Sequence, residues 1–216
     1  MSARFIKKTH QVAEADRTAS YQQSGSGRAS FDMGSSNLFF IGPRCCGKTT
    51  VAREVAQAMG GRFVDTDQLI VDRLGMSISD YVAAHDWEAF RDGEEQVLEA
   101  VCSRTGQVVA TGGGAVLRPE NCRRMQRVGE VFYLLADVPT LRDRIERDPN
   151  QAQRPSLTGG NVAEELARTV VEREPLYMSC ANHVLPAHKS VQELVGDVLV
   201  ALGRKDIADE GFLDDF

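Results

Sequence analysis

No apolar run in this 216-residue chain approaches the ~20 residues that a membrane-spanning helix needs. The N-terminus lacks the apolar core of a secretory signal, and Glu14 and Asp16 argue against an organelle transit peptide. Positive charge is not in excess either. A net charge of −6 and a pI of about 5.3 exclude the broad basic surface of a general nucleic-acid binder. The five cysteines, an odd number with no C-x-x-C pair, make neither a disulfide framework nor a zinc site. They fit a reducing cytoplasm. No internal repeat is evident, and no N-K-x-D segment exists to read guanine. Asp72-Arg73-Leu74-Gly75 mimics the D-x-x-G of a GTPase switch, but without that partner it does not make one.

What the chain does have is a phosphate loop. Gly42 to Thr50 read Gly-Pro-Arg-Cys-Cys-Gly-Lys-Thr-Thr and fill G-x-x-x-x-G-K-[ST]. The apolar run Leu38-Phe39-Phe40-Ile41 leads in as a buried parallel strand. Val51, Val55 and Met59 recur every fourth residue behind it, until Gly60-Gly61 stops the helix. Strand, glycine loop and helix N-terminus turn backbone N–H groups on the β- and γ-phosphates of a nucleotide. Cys45, Cys46, Gly47, Lys48, Thr49 and Thr50 are the candidate nucleotide contacts, with Lys48 reaching the phosphates and Thr49 ligating Mg²⁺.

The organisation around the loop is that of one domain, since 42% hydrophobic residues suffice for a single core with both sheet faces covered. Residues 1–37 carry no sustained apolar period and read as a flexible extension, residues 38–203 as the domain, and residues 204–216 as an acidic tail. Strands at 62–67, 107–111, 131–136 and 183–185 alternate with helical stretches, and Ser190 caps a closing helix to Leu202. Such alternation predicts an α/β fold with a mostly parallel sheet and ligands at the carboxyl ends of its strands.

Those strand ends hold the remaining candidates. Asp65 and Asp67, two apart at a strand end, would share a face beside phosphates and metal, although Asp67 could equally cap the next helix. Gly112-Gly113-Gly114 ends what reads as the central strand with no Walker B acid, and bare backbone there lets a substrate lie close. Asp137 ends a strand that resembles an outer one and ranks below Asp65. Arg91 is spaced to pair with Glu95 one turn on, Arg154 sits in a Gly/Pro-rich interruption, and Arg173 reads as the end of a helix. Beside a phosphate loop, these arginines suit forked recognition of a carboxylate and of a transferring phosphate. The histidines at 10, 85, 183 and 188 fall outside the strand ends.

In order and spacing, the loop, Phe63-Val64-Asp65-Thr66-Asp67, Phe90-Arg91, Gly112-Gly113-Gly114, Arg154-Pro155 and Arg173-Glu174-Pro175-Leu176-Tyr177 resemble shikimate kinase, closest to the type II bacterial form. The likeness spans about residues 37–202. It implies a P-loop, nucleoside-monophosphate-kinase-like fold with a five-stranded parallel sheet. It also implies transfer of the γ-phosphoryl of ATP to the 3-hydroxyl of shikimate, by a monomer with no nucleic-acid or membrane partner. By the same likeness Asp67 binds the shikimate hydroxyls, Arg91 and Arg173 its carboxylate, and Gly113 adds a backbone contact flanked by Gly112 and Gly114. Thr49 and Asp65 hold Mg²⁺, Arg154 is the arginine of a lid at about residues 148–160, and Arg147 stacks on adenine. The competing readings are another small-molecule kinase of the fold, such as a gluconate kinase, and a non-catalytic nucleotide-binding module. One position departs from the pattern: Cys45 stands where the family normally has glycine.

Overall fold

The computed structural model describes residues 31–147 and 162–204. Five strands form one parallel sheet: β1 (Asn37–Ile41), β2 (Arg62–Asp65), β3 (Gln107–Ala110), β4 (Gly129–Leu135) and β5 (His183–Pro186), in the order β2-β3-β1-β4-β5. The helices are α1 (Lys48–Met59), α2 (Thr66–Leu74), α3 (Ile78–His85), α4 (Trp87–Cys102), α5 (Pro119–Val128), α6 (Val138–Glu146), α7 (Val162–Cys180) and α8 (Val191–Ala201). The sequence places β1 at the centre because both of its faces are covered, so an unbroken apolar run is required there. Alternate residues then serve opposite layers. Leu38 and Phe40 join a core with Val51 and Val55 of α1 and Leu194 and Val198 of α8. Phe39 and Ile41 join the other, with Leu98 of α4, Met125 of α5 and Tyr177 of α7.

Four expectations change in the folded chain. The glycine triplet follows β3, which lies one strand off centre, and β1 is the central strand. The strand before Asp137 is β4, which is interior between β1 and β5 rather than outer. Asp137 itself caps α6 by accepting the Thr140 N–H at 2.9 Å. Asp65 ends β2 while Asp67 belongs to the first turn of α2, so the pair do not share a strand face. Arg173, expected at the end of a helix, lies inside α7, which continues through Pro175. Proline removes one helical N–H and crowds the carbonyl four residues back. Here that residue is Val171, 70% exposed, whose carbonyl can tilt toward water.

At the N-terminal side, the Phe31 N–H bonds to Leu202 O at 3.1 Å, and Phe31 and Met33 pack on the core. The chain is therefore already part of the domain at residue 31. At the other end of the sequence, Ser190 and Glu193 form a reciprocal cap on α8. Arg154 and the whole of the expected lid lie outside the described residues, as do residues 1–30 and the tail from residue 205.

Candidate active site

The phosphate loop joins β1 to α1, and its shape depends on residues that tolerate positive φ. Gly42 (143°) and Gly47 (104°) do so freely, but Cys45 at 59° is an L-residue in the left-handed region. Lys48 is buried and turned over its own loop, with Nζ donating to Gly42 O (2.9 Å) and Pro43 O (2.6 Å) and 3.7 Å from Cys46 Sγ. Thr49 Oγ1 donates to Asp65 Oδ2 at 2.9 Å. The second oxygen of Asp65 caps α2, accepting from the N–H groups of Asp67 (3.0 Å) and Gln68 (3.4 Å). The capping role considered for Asp67 thus belongs to Asp65, and Asp67 borders the neighbouring cavity.

That cavity lies beside the loop and is bordered by Asp67, Arg91, Glu94, the three glycines and Arg173. Arg91 is 9% exposed, lies over the rings of Trp87 and Phe90 at 5.3 and 5.1 Å, and donates to Glu94 Oε2 at 2.6 Å. Its partner is thus Glu94 at i+3, because Glu95, the expected one, is engaged by Arg124 at 2.8 Å. Burial pushes the Glu94 carboxyl above its ordinary range, the Arg91 guanidinium opposes this, and the charge of Asp67 adds to the rise. Glu94 Oε1 has no hydrogen-bond partner among the described residues.

Bare backbone at the glycines is a packing necessity. A Cβ on Gly112 would stand 2.6 Å from both Asp67 Oδ1 and Glu94 Oε1, and one on Gly114 would collide with the Arg91 guanidinium. The Gly113 carbonyl accepts two bonds from α7, from Arg173 Nη1 (3.2 Å) and Tyr177 Oη (2.6 Å). The cavity thus brings acidic side chains (Asp67, Glu94, Glu165) and guanidinium groups (Arg44, Arg91, Arg173) together beside the phosphate loop.

The family model for shikimate kinase matches residues 44–203, three quarters of the chain. The chain belongs to the shikimate kinase family. A shikimate kinase of Oleidesulfovibrio alaskensis is 44% identical over 162 residues, covering 75% of this chain and 94% of that protein. Shikimate kinase 2 of Salmonella schwarzengrund is 43% identical over 165 residues, covering 76% and 91%. Among solved structures, the shikimate kinase of Acinetobacter baumannii in complex with shikimate is similar at a TM-score of 0.73 and 29% identity, over 80% of this chain and 96% of that one.

Within this shikimate kinase fold, Asp67, Arg91, Gly112, Gly113, Gly114 and Arg173 converge on one cavity, and Lys48, Thr49 and Asp65 on the loop beside it. Arg147 does not join either group and is exposed in the turn after α6. One turn earlier, Arg144 bridges the loop to the end of β5, donating to Cys46 O (2.9 Å) and Ala187 O (2.8 Å). Sequence reasoning missed Arg144, Glu94 and Tyr177. Tyr177 was within reach, as the last residue of a quoted motif. The other two had no signal, since a polar residue on an amphipathic helix is ordinarily solvated. His183 begins β5 at the edge opposite the site, where it bonds Glu130 (3.1 Å) and stacks on Phe132.

Proposed function

We propose that this chain transfers the γ-phosphoryl group of ATP to the 3-hydroxyl of shikimate, giving shikimate 3-phosphate for aromatic amino-acid biosynthesis. The observation that carries the reading is the cavity beside the phosphate loop, whose lining includes Asp67 together with Arg91 and Arg173, a set that suits a small acceptor with hydroxyls and a carboxylate. Arg91 and Arg173 would fork the acceptor carboxylate, as guanidinium geometry allows. Asp67 would accept hydrogen bonds from two hydroxyls, orient the attacking oxygen and take its proton. Glu94 holds Arg91 in place through its 2.6 Å bond.

On the donor side, Lys48 would exchange its carbonyl partners for phosphate oxygens, and Cys45, Cys46, Gly47 and Thr50 would add loop contacts. Mg²⁺ is commonly held by one or two protein oxygens together with phosphates and water. The Thr49 hydroxyl and Asp65 carboxylate, 2.9 Å apart, fit that donor set. When bound, the ion neutralises charge on the β- and γ-oxygens. Arg154, outside the described residues, would complete the positive field from the lid, whose closure keeps water from acting as acceptor. Arg147, in the turn after α6, would stack on the adenine, while Arg144 holds the loop through the Cys46 carbonyl.

No described helix is long and apolar enough to cross a membrane, and the enzyme would work as a cytoplasmic monomer on small molecules. Coupled ADP release measured with ATP and shikimate, with ATP and gluconate, and with ATP alone tests the assignment. Turnover with shikimate only is the expected result. Equal turnover with gluconate, or none with either, would overturn it.

A further inference from the structure

Tyr177 takes no part in the chemistry above, yet its hydroxyl is committed to one backbone atom. The ring is 1% exposed and stacks on Tyr133 with centroids 5.0 Å apart. Its hydroxyl donates to Gly113 O at 2.6 Å, alongside Arg173 Nη1 at 3.2 Å. Arg173 and Tyr177 are four residues apart on α7 and so share one helix face. Burial keeps the Tyr177 phenol protonated far above neutrality, so it remains a donor at any working pH.

The accepting residue is the one that joins the two halves of the site. Gly113 borders the acceptor cavity, and a Cβ on it would meet Gly42 O at 3.5 Å and Arg44 N at 3.6 Å, both in the phosphate loop. Three successive glycines have no side chains to fix their own conformation, so the turn must be anchored from outside. One anchor is Thr66 Oγ1, which accepts the Gly112 N–H at 3.0 Å. The other is the Gly113 carbonyl on α7. We infer that Tyr177 is a positioning residue: its hydroxyl fixes the glycine turn against the phosphate loop and shares the Gly113 carbonyl with Arg173, so that the guanidinium does not hold the turn alone. Without that hydroxyl, Arg173 alone holds the carbonyl and is drawn away from the acceptor. The inference rests on reading this cavity as the acceptor site.

Tyr133 supplies an internal control. It belongs to the same stack and is fully buried, but its hydroxyl has no hydrogen-bond partner among the described residues. Tyr177→Phe and Tyr133→Phe therefore remove the same atom from the same core, one bonded and one orphaned. The loss of a hydrogen bond shared with a charged donor should raise the KM for shikimate about five- to tenfold in Tyr177→Phe, with the KM for ATP unchanged. Amide exchange of the segment Thr111–Leu117, followed by mass spectrometry, should quicken in the same variant. Tyr133→Phe should match wild type in all three. Equal rises in both KM values, or unchanged exchange of the segment, would reduce Tyr177 to a packing residue and overturn the inference. If wild type fails to phosphorylate shikimate, the functional reading falls, and the exchange comparison still decides whether Tyr177 holds the turn.

Discussion

The donor half of the site is mostly one run of consecutive residues, joined by Asp65 from the end of β2, whereas the acceptor half draws residues from four separate segments. Gly42 to Thr50 bring their own backbone dipoles, helix N-terminus, lysine and hydroxyl within nine positions. The acceptor cavity takes Asp67 from α2, Arg91 and Glu94 from α4, the glycines after β3, and Arg173 from α7. A site built from contiguous backbone tolerates side-chain change, because most of its donors are N–H groups. A site assembled from distant side chains depends on each of them and on whatever aligns their elements. Substitutions should therefore separate the halves: acceptor changes should alter shikimate handling and leave ATP binding alone.

The largest effect is expected at Asp67. Asp67→Asn keeps size and polarity, and Asp65 rather than Asp67 caps α2, so the fold has little reason to suffer. Loss of the charge that receives the hydroxyl proton should lower kcat for shikimate by at least about 10²-fold. ATP affinity, measured by titration calorimetry, should stay at the wild-type value. A wild-type rate in this variant would remove the acceptor from the cavity and break the comparison.

Arg91→Lys comes next. An ammonium cannot span the two oxygens of a carboxylate, and it would also lose the planar stacking on Trp87 and Phe90. The KM for shikimate should rise about tenfold, the worth of one charge-assisted bond, while the KM for ATP stays fixed. Parallel changes in both constants would mean that α4 supports the donor half as well.

How much of this was legible in the sequence follows the same division. The loop, the buried β1 run and the Ser190 cap are local patterns, and each formed where its residues required. The partner of Arg91 was not local in that sense. Glu94 and Glu95 are both within reach on a helix, and the choice was made by Arg124, on another helix, claiming Glu95. Likewise nothing within β4 says whether a strand is added beyond it, so its interior place depends on β5. The cavity residues could be named singly as candidates, but only resemblance to a family brought them to one site, since no spacing rule joins residues 67, 91 and 173. Arg144, which joins the loop to Ala187, lies outside the motifs that carried the resemblance.

Glu94→Gln addresses stability more than rate. Burial raises the pKa of the Glu94 carboxyl above the ordinary carboxylate range, with desolvation the largest cause. An acid raised in the folded state binds its proton more tightly there than in the unfolded chain. Its contribution is thus fully favourable below about 4.5 and is lost as pH rises through the folded-state value. Glu94→Gln should flatten that fall in a series of urea titrations across pH, and should raise the KM for shikimate through the loosened Arg91. A pH profile parallel to wild type would show that folding leaves the titration of Glu94 unshifted.

The smallest effect is expected in the donor half, at Cys45. Its φ of 59° costs an L-residue about 1–2 kcal/mol, which glycine would not incur. Against that, glycine adds roughly 0.5–1 kcal/mol of unfolded-state entropy, and the substitution gives up the packing of Cys45 on the core. The opposing terms nearly cancel, so Cys45→Gly should unfold within about 2–4 °C of wild type, the shift that 1 kcal/mol produces in a chain of this size. The KM for ATP should be equal or lower, and the KM for shikimate unchanged. Chemical access gives a sharper reading than stability. Cys46 is 1% exposed, with its thiol packed under Lys48, whereas Cys45 is half-buried, so an alkylating reagent should meet Cys45 first. Iodoacetamide should inactivate wild type, ATP should protect it, and Cys45→Gly should resist. Equal inactivation of the variant would move the reactive thiol to another cysteine, with adjacent Cys46 the first to test and the half-buried Cys102 and Cys122 after it.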